Sequence, residues 1–267
     1  MSTNSKEQNA FNSKSIALVV PYFDELKRFD FQKLVELSVR GRDLLDIYLV
    51  DDGSRDSLSS LIAEAIKRNS LENVFQLISR DNLGKANAIR LGFNSIAVSG
   101  RKYSYFGFTD ADFSTPPAEV VRVAKFVLAN RENFVYGARI STGRNLIQTS
   151  KFRSTQGIFF TLIVRLILNA PFKDSQCGLK FLRITKEIEE IFSTPFVNRW
   201  LLDLEIMCRV MSKGEIHVTE LVLQEWTHFE ESKTGIKDIP KVVSSLIRLR
   251  YKYGKMSGIK TNTLFQN

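Results

Sequence analysis

The 267-residue chain has 43% hydrophobic and 25% charged residues, an ordinary globular balance with length for a sizeable core. Its two cysteines, Cys177 and Cys208, sit in no C-x-x-C pattern, which argues against a zinc site or a disulfide framework and for reduced thiols. The net charge of +9 is uneven: from Lys233 to Lys260 eight cations accompany one acid, Asp238, a patch suited to nucleic acid, an anionic membrane or a phosphorylated substrate.

The first fourteen residues are polar and lack the apolar stretch of a secretory signal, so 1–14 is expected to be a flexible tail. Short β-branched and aromatic runs then alternate with longer amphipathic ones. "SIALVVP" (15–21), "LLDIYLVDD" (44–52), "NVFQLIS" (73–79), "YSYFGFTD" (103–110) and "NFVYGAR" (133–139) predict strands, with helical spacing in the segments between them. This alternation predicts an α/β fold, a mostly parallel sheet flanked by helices. The second half is less regular: an apolar helix near 150–169, "CGLKFLRI" as a strand, "WLLDLEIMCRVM" as a helix, two short strands near 215–226 and a basic helix near 238–253. Arg165 interrupts the most apolar stretch, "GIFFTLIVRLILNAPF" (157–172), so no membrane-spanning helix is expected. There is no internal repeat or linker, and residues 255–267 are expected to form a C-terminal tail.

Ligands of parallel sheets collect at the carboxyl ends of the strands, and acidic or turn residues recur there. In "PYFDE", Pro21 ends the first strand, Phe23 follows, and Glu25 lies where a base or ribose could sit. In "DDGS", Gly53 permits a tight turn after Asp51 and Asp52, and Ser54 or Asp56 can cap the next helix. "NLGKANAIRLG" puts Gly84 at a loop-to-helix junction and Lys85 in the first turn, a combination suited to a diphosphate. "TDAD" ends the fourth strand on Asp110, Ala111 and Asp112. Residues two apart on a strand share a face, so these carboxylates repel unless a cation holds them. The Ser114, Thr115 and proline residues that follow can start a helix without them, which leaves the carboxylates for a hard divalent cation with phosphate oxygens as co-ligands. Neither a Walker-type loop nor G-x-G-x-x-G occurs.

Taken together, "VPYFDE", "VDDGSRD", "NLGKANAIRLG", "TDAD" and "GAR" resemble the family 2 inverting glycosyltransferases, which have the Rossmann-like, nucleotide-sugar-binding GT-A fold. The pattern runs from residue 16 to about 253. "DSQCGLKFLR", "WLLDLEIM" and "EWTHFEESK" resemble the branch of dolichyl- and polyprenyl-phosphate glucosyltransferases and mannosyltransferases. The resemblance implies one GT-A domain over 15–254, with a nucleotide-sugar half to about 140 and an acceptor half from about 141. It implies that Pro21, Phe23 and Glu25 border the base and ribose and that Asp52 accepts from a base N–H. It also implies that Gly84, Lys85, Asp110 and Ala111 line the donor, and that Asp112 ligates Mg²⁺ or Mn²⁺ with Asp110 at the ribose or metal shell. The family usually has glycine where this chain has Ala86.

Inversion needs an acceptor oxygen behind the anomeric carbon. A hydroxyl acceptor requires a general base, whereas a phosphate is already ionised and needs mainly cationic positioning. Candidate bases are Asp174, Asp203 and Glu205, the last two facing different ways on one helix. The resemblance favours Asp174 and Asp203 as catalytic residues, and places Arg139, Arg153, Ser232 and Lys233 near phosphates. His228 is a further candidate metal ligand. His217 looks like an ordinary strand residue, and Cys177 like a packed small residue.

The expected activity is metal-dependent transfer of a sugar, glucose from UDP-glucose in the leading case, to a polyprenyl or dolichyl phosphate. The alternatives are transfer to a saccharide or other soluble hydroxyl and, without catalysis, a basic nucleic-acid-binding module. The last leaves the acids at three strand ends unexplained. The apolar helix and the basic segment are expected to allow peripheral contact with a membrane, at its cytoplasmic face.

Overall fold

The computed structural model describes residues 14–148, 151–174, 176–197, 201–212, 217–227, 239–254 and 261–265. Residues 1–13 of the expected N-terminal tail lie outside that set. The strands among the described residues are β1 (Ile16–Tyr22), β2 (Leu45–Asp51), β3 (Val74–Ile78), β4 (Tyr105–Phe108), β5 (Phe134–Ala138), β6 (Leu146–Gln148), β7 (Lys180–Arg183), β8 (Val218–Val222), β9 (Glu225–Thr227) and β10 (Thr261–Leu264). The helices are α1 (Phe31–Arg40), α2 (Leu58–Arg68), α3 (Lys85–Val98), α4 (Pro117–Asn130), α5 (Lys151–Leu168), α6 (Lys186–Ser193), α7 (Leu202–Met211) and α8 (Ile239–Tyr253).

Eight strands form one sheet in the order β10-β8-β5-β7-β4-β1-β2-β3, and β6 pairs with β9 in a small second sheet. The large sheet is parallel except for β7, which runs antiparallel to both β4 and β5. The strand alternation separates two cores. Ala17 and Val19 of β1, Tyr48 and Val50 of β2, and Phe106 and Phe108 of β4 pack on one face with α3, α5, α6, α7 and α8. Ile16, Leu18, Val20 and Tyr22 of β1 and Leu45, Ile47 and Leu49 of β2 pack on the other face with α1, α2 and α4. Both faces of the central strands are thereby dry, and β1 and β2 are buried at every position. Asp30 caps α1 by accepting from the Gln32 and Lys33 amides at 2.9 and 3.1 Å.

Several sequence expectations need correction. Pro21 does not end β1, which runs on through Tyr22. The alternation of β1 turns Pro21 toward β4, beyond the last β1–β4 pair at Val19 and Phe108, so its missing N–H breaks no ladder bond. Strand β4 stops at Phe108, so Asp110 and Asp112 sit in the following turn and not on a strand face. That turn places Phe113 at φ +50°. Residues 261–264, expected in a tail, form the edge strand β10, paired parallel to β8. Helix α6 and strand β6 were not anticipated either. Among the described residues no helix is long and apolar enough to cross a membrane.

Candidate active site

The parallel strands deliver the loops after β1, β2 and β4 to one edge of the sheet. The first two loops are cross-linked. The Asp24 amide donates to Ser54 Oγ at 3.1 Å, the Arg55 amide to Asp24 Oδ1 at 2.8 Å, and the Leu26 amide to Asp56 Oδ2 at 3.0 Å. Phe23 is half-buried within this junction. Glu25 receives the Arg28 guanidinium through Nε at 2.7 Å and Nη2 at 2.5 Å.

Asp52 is 3% exposed and reaches sideways into the loop before α3. Its two carboxylate oxygens accept the Leu83 and Gly84 amides at 2.9 and 2.7 Å. Gly84 has φ +87°, a conformation costly for any residue with a Cβ. Asp52 and Gly84 therefore act together to aim the start of α3. The methyl of Ala86 is buried in the core, where it packs under the helix start.

Lys85 extends from the first turn of α3 to Asp110 Oδ1 at 2.5 Å. Burial opposes charging of this ammonium, but Asp110, then Asp203 and Asp112, outweigh it and push its pKa up. Burial likewise opposes ionisation of Asp110. Lys85 first, then Lys180 and Arg139, outweigh that and hold the carboxyl below the usual carboxylate range. Asp112 behaves oppositely: burial, and after it the charge on Asp110, raise its pKa. Asp112 Oδ1 accepts the Ser114 amide at 2.9 Å, and α4 begins after Pro116 with no side-chain cap, so neither Ser114 nor Thr115 caps the helix. Ala111 is buried between the two carboxylates.

The acceptor half closes the same edge from the other side. Because β7 runs antiparallel, its first residue, Lys180, arrives opposite the last residue of β4, Phe108. Lys180 is fully buried. Its ammonium donates to the Cys177 carbonyl at 2.5 Å and lies 2.7 Å from Asp203 Oδ1. That last contact lacks hydrogen-bond alignment, so its attraction is ionic. Glu205 points elsewhere: it accepts the Val197 amide and pairs with Arg209 Nη2 at 2.8 Å. Asp203 faces the site and Glu205 supports the back of α7.

Arg139, just beyond β5, grips Asp174 through Nε and Nη2 at 2.7 and 2.8 Å, and its backbone amide adds a third bond at 2.9 Å. Burial would raise the Asp174 pKa, but this guanidinium and these bonds hold it down. Arg139 also lies over the Trp226 ring, 5.0 Å from its centre. Arg153 falls in the first turn of α5, with its side chain outside the described set, and Ser232, Lys233 and His228 lie outside the described residues. Burial pushes both cysteine thiols up to about 12, so neither is a nucleophile at neutral pH.

The structure thus joins Asp52, Gly84, Lys85, Asp110 and Asp112 at one edge and brings Asp203, Arg139 and Asp174 to face them. Lys180 and Gly178 also belong to the site, although no sequence motif singles them out. Their signal, a lysine and a glycine inside the apolar run "CGLKFLR", is weak without knowing that this strand reverses direction.

The chain is 27% identical over 263 residues to the dolichyl-phosphate beta-glucosyltransferase of Dictyostelium discoideum, covering 93% of this chain and 77% of that protein. It is 28% identical over 235 residues to the dolichyl-phosphate beta-glucosyltransferase of Homo sapiens, covering 83% of this chain and 70% of that protein. Its fold matches glucosyl-3-phosphoglycerate synthase from Mycobacterium tuberculosis, solved with Mn²⁺, UDP and glucosyl-3-phosphoglycerate. The TM-score is 0.59 at 15% identity, over 95% of this chain and 85% of that one. The pattern of glycosyl transferase family 2 matches residues 18–188, and with the sheet order and the paired aspartates after β4 this assigns the chain: it is a member of that glycosyltransferase family, with a GT-A fold.

Proposed function

We propose that the protein transfers glucose from UDP-glucose, with inversion and with the help of a divalent cation, to a polyprenyl or dolichyl phosphate. The observation that carries the choice of acceptor is the state of the two candidate bases. Asp174 is held by Arg139 through three bonds, and Asp203 lies against the buried ammonium of Lys180. Asp174 is therefore committed to Arg139 and not to a hydroxyl proton, and Asp203 sits in an ion pair with Lys180. A phosphate acceptor needs no proton removed, because its oxygen is already anionic and requires only positioning. Arg139 supplies that: with Nε and Nη2 committed to Asp174, its Nη1 side remains to meet an anionic oxygen. The names of the relatives from Dictyostelium and human support the same acceptor class and the same sugar.

The residues present fit Mg²⁺ or Mn²⁺. Burial and the adjacent Asp110 charge raise the Asp112 pKa, which a bound cation would reverse. Among the described residues no group of three or more acidic, histidine or cysteine side chains could enclose a metal by itself. Two carboxylates sharing a cation with substrate phosphates is the arrangement expected for Mg²⁺. Asp112 would ligate it, with Asp110 oriented by Lys85 beside it. A cation there would neutralise charge developing on the departing UDP. Asp52 holds the Leu83–Gly84 loop against the base and diphosphate.

A bilayer-facing acceptor side follows. Helices α5 and α8 pack together, and they expose Leu162, Leu166, Ile247 and Tyr251 beside Arg165, Arg248 and Lys252. Apolar side chains flanked by cations suit an anionic lipid surface.

The deciding experiment incubates radiolabelled UDP-glucose with purified polyprenyl phosphate and Mg²⁺, then partitions the products into organic solvent. Label in the organic phase that is lost with EDTA and in Asp112→Ala is expected. Label that stays aqueous on a saccharide, or turnover by Asp112→Ala equal to that of the wild type, would overturn the proposal.

A further inference from the structure

Glu220 is a fully buried carboxylate in the middle of β8, behind the acceptor side of the site. Its register neighbours are Tyr136 on β5 and Thr263 on β10. One of its oxygens accepts two successive backbone amides, Lys173 at 2.9 Å and Asp174 at 2.8 Å. The other accepts the Thr263 hydroxyl at 2.9 Å. The next residue in β10's course, Phe265, lies under the Lys173 ammonium, 5.7 Å from ring centre to nitrogen. The edge strand and the 173–174 turn are therefore fastened to each other through one carboxylate.

The chain of contacts continues into the site. Asp174, whose amide Glu220 holds, accepts the Gln176 amide at 3.2 Å and the Arg139 guanidinium, which rests on Trp226. A buried acceptor oxygen shared by two consecutive N–H groups fixes the plane of the turn. That plane fixes where the Asp174 carboxylate points, and the carboxylate fixes the guanidinium.

From this geometry we propose that Glu220 is a positioning residue for Arg139, acting through the 173–174 turn, and that docking of β10 completes its surroundings. Glu220 touches no substrate. Its removal leaves the charge of Arg139 in place and loosens only its direction. The catalytic consequence rests on Arg139 contacting the acceptor phosphate, as proposed above, whereas the positioning itself does not.

The test therefore has one arm that needs no activity. The chain has two tryptophans, and in a Trp200→Phe background the emission of Trp226 reports the guanidinium lying on it. Arg139→Gln calibrates the signal. Glu220→Ala is expected to reproduce that change, and to speed hydrogen exchange at the Lys173 and Asp174 amides about tenfold, because both lose their buried acceptor. Glu220→Gln keeps an acceptor oxygen and should stay near the parent. In the transfer assay Glu220→Ala should raise the acceptor KM about tenfold while the UDP-glucose KM holds. Should Glu220→Ala not fold, Thr263→Val, which removes one donor from the carboxylate, should move the same readouts in the same direction by less. A folded Glu220→Ala with parental Trp226 emission overturns the proposal, as does an equal rise in both KM values. Failure of the wild type to glucosylate any lipid phosphate would strike the acceptor reading alone, and the fluorescence and exchange results would still decide the role of Glu220.

Discussion

Asp110 lies directly against Gly178, where the β4–β7 register continues two residues past the paired ends Phe108 and Lys180. A methyl built on Gly178 would overlap the Asp110 carboxylate. The glycine is therefore a steric condition for the site. It lets the turn after β4 press its carboxylate toward β7, where Lys85 meets it from α3 and Lys180 adds a further positive charge.

Gly178→Ala tests this directly. The added methyl must displace Asp110 or the strand, at about 1–3 kcal/mol if the overlap is relieved by small shifts. Sugar transfer should fall at least about tenfold, since an ångström-scale misplacement of a positioning group suffices for such a loss. Steady-state kinetics with a metal titration provide the measurement. The expected pattern is a higher cation requirement in a protein that still melts cooperatively, and wild-type turnover would refute the steric role.

Lys180 and Asp203 form an ion pair with both partners almost wholly buried. Breaking such a pair leaves an uncompensated buried charge. Lys180→Met alone should therefore cost about 3 kcal/mol of stability. The double substitution Lys180→Met with Asp203→Leu should recover most of it, because replacing both charges with apolar groups removes the orphan. Urea unfolding of the wild type, the two single variants and the double variant closes the cycle; additive losses would show that the two charges do not interact.

The Arg139–Asp174 pair makes a pH prediction. Its aspartate has a folded-state pKa below the unfolded value, so the pair contributes stability above the unfolded pKa. That contribution fades as pH falls through the folded pKa. Wild type should exceed Asp174→Asn by about 2 kcal/mol at pH 7, with the gap narrowing below about pH 4. Thermal unfolding followed from pH 7 to pH 3 gives the comparison. A gap that widens on acidification would reverse the sign and remove the basis for treating Asp174 as a locked carboxylate.

Much of the donor half was legible along the chain. The strands β1 to β5 and the helices between them announce themselves by periodicity. "PYFDE", "DDGS", "NLGK" and "TDAD" fall at the ends of strands whose parallel order follows from the alternation of elements. The loop chemistry is less legible. Asp110 and Asp112 were expected on one strand face and instead occupy a turn, because β4 ends two residues before Asp110 and Phe113 adopts a left-handed conformation.

What the sequence determined alone was the class of fold, the family and the identity of the acids at the strand ends, since periodicity and short motifs are local properties. The tertiary structure decided which charges meet. Lys180 reaches Asp203 and the neighbourhood of Asp110 only because β7 enters the sheet backwards, and Glu220 gains Thr263 only because residues 261–264 pair beside β8. Strand direction and strand neighbours depend on contacts between segments far apart in the chain, and the residues within a short strand carry no record of them.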